Sequence, residues 1–161
     1  MNNDGLYQKY GTTQATSNIA GEYHYDGPRH CIEIADLDLT KVTVTDGSYI
    51  VSDQVFFPKN ARIETIELIT ETAATGTGAV LNLGLVKTDR STEIDFNGFL
   101  AAFPQTSMTP AGSFTTFHEG STDAGALFGT TTSTVGYICA DYDTAAFTAG
   151  KVRIRIYYTM P

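Results

Sequence analysis

The sequence of 161 residues predicts an all-β fold: an antiparallel β-sandwich, jelly-roll-like, with one short helix and an extended N-terminal arm. Three observations predict it. Short runs alternate apolar and polar side chains with the period of two expected of half-buried strands, turn signals separate those runs, and no strand–helix–strand rhythm appears. The length is that of one domain, and folded chains of this size bury about 68 to 70% of the surface their unfolded form exposes, enough for a core without disulfides or metal. The expected division is an arm over residues 1–20 and a single sandwich over 21–161.

The arm, MNNDGLYQKYGTTQATSNIA, is polar and has no sustained period. Such a terminus gains order when a partner ties it down, and Tyr7, Tyr10 and Ile19 are its apolar anchors for docking. In HCIEIADLDL, Ile32 and Ile34 share one parity and Leu37 and Leu39 the other, which predicts a bulge near Ala35 and Asp36. KVTVTDGSYIV alternates Val42 and Val44 with threonine before Asp46-Gly47, so a hairpin with a type I′ turn is expected. The stretch 61–86 holds two strand-like runs, RIETIELITE and AVLNLGLV, joined by TAATGTG, which reads as a flexible hairpin connection. Ile66, Leu68 and Thr70 fall on one face of the first run, and Ala79, Leu81, Leu83 and Leu85 on one face of the second. Phe96, Phe99, Leu100 and Phe103 fall at helical spacing between Asp95, suited to an N-cap, and Pro104, which predicts a two-turn helix with a buried phenylalanine stripe. In the last strand Val152, Ile154, Ile156 and Tyr158 alternate with Lys151, Arg153, Arg155 and Tyr157.

Charge and composition exclude several function classes. Ten Lys plus Arg against eighteen Asp plus Glu give a net charge of -8, which repels a phosphate backbone, so nucleic acid is not an expected partner. No apolar run approaches the roughly 20 residues of a membrane span, and the N-terminus has neither the basic start nor the apolar run of a secretory signal; no membrane partner and assembly in a cytosol are expected. Cys31 and Cys139 lack metal-site spacing and read as reduced, buried, small apolar residues, with a disulfide between neighbouring strands as the alternative.

Candidates for chemistry are sparse. His24, His30 and His118 are the bases available near neutral pH; His24 and His30 flank the turn signal Asp26-Gly27-Pro28, and His118-Glu119-Gly120-Ser121 has suitable residue types without triad spacing. The pairs Asp36 and Asp38, Glu93 and Asp95, and Asp141 and Asp143 would each share a strand face, as a glycosidase acid and base or a calcium site requires, but nearby acids usually mark a solvated face. The loop Thr75-Gly76-Thr77-Gly78 leads into a strand and has no P-loop lysine. The nine phenylalanines mostly suit the core, and nine tyrosines without tryptophan give little support to a sugar-stacking surface. The expectation is no catalytic residues, no cofactor, no metal and no enzyme.

The segments FFPKNARIETIELITETAATGTGAVLNLGLVKTDRSTEIDFNGFLAAFP and YICADYDTAAFTAGKVRIRIYY, spanning roughly residues 55–158, resemble small structural proteins of tailed bacteriophages that decorate or cement the head. The resemblance implies a homo-oligomer, a trimer by analogy, that is assembled in the host cytoplasm, binds the major capsid protein on the capsid exterior and strengthens the shell without chemistry. A carbohydrate-binding sandwich of a phage fibre or spike, or a neck or tail structural protein, is the alternative reading.

Overall fold

A computed structural model describes residues 29–160. The arm with Tyr7, Tyr10 and Ile19, and the turn signal with His24, lie outside the described residues. Nine strands follow in order: β1 (Arg29–Asp38), β2 (Tyr49–Ile50), β3 (Phe56–Phe57), β4 (Arg62–Thr75), β5 (Val80–Lys87), β6 (Glu93–Pro104), β7 (Phe114–His118), β8 (Gly136–Asp143) and β9 (Ala149–Thr159). They form two antiparallel sheets. The first, sheet A, has the order β1-β9-β4-β7, and the second, sheet B, the order β2-β8-β5-β6 with β3 also paired to β8.

One core lies between the sheets. Ile63, Ile66 and Leu68 of β4 and Val152, Ile154 and Ile156 of β9 meet Leu81, Leu83 and Leu85 of β5 and Ile138 and Ala140 of β8, all essentially without solvent exposure. The predicted apolar faces are therefore the buried ones. Six phenylalanines, Phe57, Phe99, Phe103, Phe117, Phe128 and Phe147, belong to this core, with edge-on contacts between Phe57 and Phe99 and between Phe103 and Phe117.

The outer face of sheet A is a charge ladder. The central strand β9 carries cations while its neighbours carry acids: Lys151 pairs with Asp36 at 3.1 Å, Arg153 with Glu33 at 3.3 Å and with Glu71, and Arg155 with Glu33 and Glu67. Opposite charges on adjacent strands fix lateral pairing, though each exposed pair adds little stability alone. The parity change in β1 is a bulge, since Val152 faces Leu37 and Ile154 faces Ile34, leaving Ala35 and Asp36 to share one space.

Four expectations need correction. The segment from Phe96 to Phe103 is part of strand β6, and the short helices of the described residues are 3-10 turns, Leu39–Lys41 and Gln105–Met108. Its helix-like spacing comes from bulges: Leu83 faces Leu100 while Leu85 faces Asp95, so the intervening β6 residues arch out of register and send side chains to both faces. Phe99, Leu100 and Phe103 enter the core, but Phe96 packs on the outer face beside Val86, Tyr137 and Cys139. The arch lies over Gly84, where a Cβ would stand 2.1 Å from the Asp95 carbonyl oxygen.

Nor do β4 and β5 form a hairpin. They belong to opposite sheets, and residues 76–79 carry the chain across the sandwich. Near Asp46-Gly47 a turn forms, with the Ser48 N–H donating to the Thr45 carbonyl at 3.0 Å, but only Gly47 has positive φ (63°), the pattern of type II rather than I′. Its flanks do not pair with each other: Thr43 bridges Asp141, and Tyr49 and Ile50 pair with Ala140 and Cys139. Finally, Cys139 is buried but Cys31 is exposed, and the two occupy outer faces of opposite sheets as free thiols.

Candidate functional site

The residues predicted as chemical candidates are mostly kept apart. The His118 N–H donates to Ser121 Oγ at 3.0 Å, while the His118 ring nitrogen Nδ1 meets the Glu119 carbonyl. The imidazole is thus turned to the backbone and not to the hydroxyl it would have to activate. Asp36 pairs with Lys151, whereas Asp38 caps the first 3-10 turn by accepting from the Thr40 N–H and Oγ1. Asp38 is the last residue of β1, where the chain enters the 3-10 turn that it caps. His30 stacks on Tyr158.

One acidic pair does converge with other groups. Along β8, Asp141 and Asp143 point to the outer face, and the turn after Thr43 brings Asp46 beside them, so that their carboxylate oxygens lie within 4.8 Å of one another. Asn82 of β5 organises the group. Its Nδ2 donates to Asp141 Oδ1 at 2.7 Å and to Asp143 Oδ2 at 2.8 Å, and its Oδ1 accepts from the Ala102 N–H in the irregular part of β6. The Gly47 N–H donates to Asp141 Oδ2 at 3.2 Å.

Asp141 is only 1% exposed. Burial pushes its carboxyl above the ordinary range, aided by the negative charges of Asp46 and Asp143 and opposed by the hydrogen bonds from Asn82 and Gly47. Glu93, Phe96 and Asn97 complete the lining of a pocket of about 180 Å³, open to solvent. That volume is below the roughly 300 Å³ at which small-molecule sites begin. Both oxygens of Asp141 and one of Asp143 already accept hydrogen bonds, from Asn82 and the Gly47 N–H. The hydrogen bonds show what the group does: it ties β8, β5, β6 and the turn at Gly47 together across the outside of sheet B.

At the other end of that outer face the side chains are aromatic. Phe56 stacks on Tyr137 with ring centroids 4.8 Å apart, and the Arg90 guanidinium lies 5.0 Å over the same Tyr137 ring. Beneath them Val86 and Cys139 are fully buried, and burial pushes the Cys139 thiol up to about 12. Phe56 stays 47% exposed and Val135, which shares the parity of Tyr137, 39%. Sequence reasoning missed Asn82, Asp46, Phe56 and Arg90 as parts of this face. A polar Asn inside the apolar run VLNLGLV was the signal for the first; the others arrive from loops whose course no local pattern reveals. Among the described residues, no helix is long and apolar enough to cross a membrane.

Comparison with known proteins finds likeness at the level of fold. A chain of the cyanophage Pam1 capsid asymmetric unit superposes with a TM-score of 0.53 at 20% identity, over 93% of this chain and 98% of that one. A chain of the Ralstonia phage GP4 capsid gives 0.53 at 16% identity, over 84% and 86%. A chain of the acid-stable capsid of Helicobacter pylori bacteriophage KHP30 gives 0.48 at 16% identity, over 83% and 88%. No protein-family model matches the sequence, and neither does any curated protein. The chain therefore has the two-sheet fold of chains found in phage capsids.

Proposed function

We propose that this chain is a virion structural protein of a tailed phage, a decoration or cement protein that binds the outer surface of the capsid and stabilises the head. The observation that carries this reading is the fold likeness to the Pam1 and GP4 capsid chains, which covers at least 84% of each chain and so concerns chains of similar size. A jelly roll is the fold we assign within the two-sheet class. The orders β1-β9-β4-β7 and β2-β8-β5-β6, with the first and last strands of the described residues adjacent and the chain crossing repeatedly between sheets, support it. Residues 21–161 act as one body and residues 1–20 as an arm lying across neighbouring major capsid protein subunits, anchored by Tyr7, Tyr10 and Ile19.

A role without chemistry accords with the turned-away His118 and the small, internally bonded acidic pocket. An acidic protein suits the outside of the shell better than the wall facing DNA. Many copies, each an oligomer, would hold through avidity even where a single contact is modest. Assembly onto the head takes place in the host cytoplasm.

The test is binding of the full chain to heads lacking it, measured by co-sedimentation. Saturable binding that restores resistance of the heads to heat is expected, and a version lacking residues 1–20 should bind far more weakly. Heads that take up none of the full chain would overturn the proposal.

A further inference from the structure

The two outer faces of the sandwich are chemically unlike. Outside sheet A, Glu33, Asp36, Glu67 and Glu71 each pair with a cation of β9, so that face is balanced strand to strand. Outside sheet B lies a second apolar cluster, Val86, Tyr137 and Cys139, with Ile50 and Phe96 packed against it. A sheet face turned only to water carries polar side chains and has no use for such a cluster. Its top is Phe56, 47% exposed yet held by stacking on Tyr137, and an aromatic ring fixed before contact is the kind of residue that anchors a protein interface. Phe96 also lines the acidic pocket, so the apolar cluster and the acids form one continuous surface.

The acids of this surface are not neutralised. Asp46, Glu93 and Asp143 are exposed beside buried Asp141, and no cation lines their pocket. Among the described residues none of them takes part in a salt bridge, while Arg90 is bridged to Asp53. Asn82 and the Gly47 N–H occupy both oxygens of Asp141 and one of Asp143, which leaves Asp46 and Glu93 as the carboxylates open to a partner. Resting on the reading of this chain as a protein of the capsid exterior, we infer that the outer face of sheet B is the side turned to the shell, docking on a basic protein surface that carries an apolar side chain. Cations of the partner answer Asp46 and Glu93, and its apolar group covers Phe56. A second copy of this chain is a poor occupant, because its own face brings the same surplus of acid.

Titration of heads lacking this protein with the full-length chain, followed by co-sedimentation at low and high ionic strength, tests this. Phe56→Ser, Asp46→Lys and Glu93→Lys should each weaken binding about tenfold, while Arg155→Met on the opposite face leaves it unchanged. Added salt should weaken the unaltered chain more than either charge reversal. Far-UV circular dichroism checks the fold of each variant; if Asp46→Lys disturbs the turn at Gly47, Glu93→Lys at the exposed start of β6 carries the charge test. Binding that these variants leave intact, that ignores salt, or that Arg155→Met weakens equally would overturn the inference and leave the proposed function standing. A full-length chain that binds no heads overturns both. Self-association of the chain in solution that the same variants abolish would give the face to a second copy and overturn the inference alone.

Discussion

At the scale of single residues, three positions expose the physics of the fold. The Thr70 hydroxyl is buried with no hydrogen-bond partner among the described residues. Thr70→Val keeps the shape and removes the unsatisfied group, so a gain of about 1 kcal/mol in urea unfolding is expected. Gly84 lies beneath the arch of β6, and Gly84→Ala should cost about 2 kcal/mol or more, because the Cβ meets backbone that cannot retreat cheaply. The cysteines should differ in reactivity. A thiol reagent added to the native protein should modify Cys31 alone and reach Cys139 only on unfolding, a result readable by intact mass.

Residue-scale electrostatics also set a pH dependence. Hydrogen bonds from Thr92 and Ser91 hold the Asp89 carboxyl well below its ordinary range, and the hydrogen bond from Arg155 lowers that of Glu33. A lowered folded value means a contribution present above the unfolded carboxylate pKa and lost as pH falls through the folded one. Asp141 has the opposite sign: its raised value favours the protonated form in the fold, so acid relieves it. Urea midpoints should therefore fall below about pH 4, where the unfolded carboxylates titrate, and Asp89→Asn should flatten that fall.

At the scale of elements, β9 separates what is structural from what is solvated. Ile156→Ala should cost about 2 to 5 kcal/mol, whereas Arg155→Met, one residue away on the ladder face, should cost less than about 1 kcal/mol; thermal unfolding of both variants checks the contrast. The same strand was the easiest to read from sequence, because a central strand with one face buried and one solvated keeps strict alternation. Strand β1 was legible for a related reason: the parity change at Ala35 and Asp36 left a trace of the bulge.

Strand β6 misled because its bulges reproduce helical spacing, and only its partner β5 reveals the register. The loop 76–79 was misread as a hairpin because alternation tells which face of a strand is buried but not which strand lies beside it. The acidic group was half legible. Asp141 and Asp143 share a face by their spacing, while Asp46 and Asn82 join them through contacts 94 and 59 residues apart in sequence, between Gly47 and Asp141 and between Asn82 and Asp141.

At the scale of the whole molecule, the two sheets enclose one apolar core and expose two different faces. One is a balanced ladder of ions, and the other is split between an aromatic, cationic end and an acidic end. A body of this kind is suited to sticking at defined places, and its polar groups are occupied in holding strands together. The proposed attachment to a phage head is supported by the fold shared with capsid chains of similar size, which by itself shows the fold alone. Electron microscopy of the parent particle at a resolution that traces strands tests that claim most directly. The account predicts density matching these two sheets on the outer surface of the head, at junctions between capsid subunits. Particles whose heads carry no such density, or which hold this chain only in the tail, would contradict it.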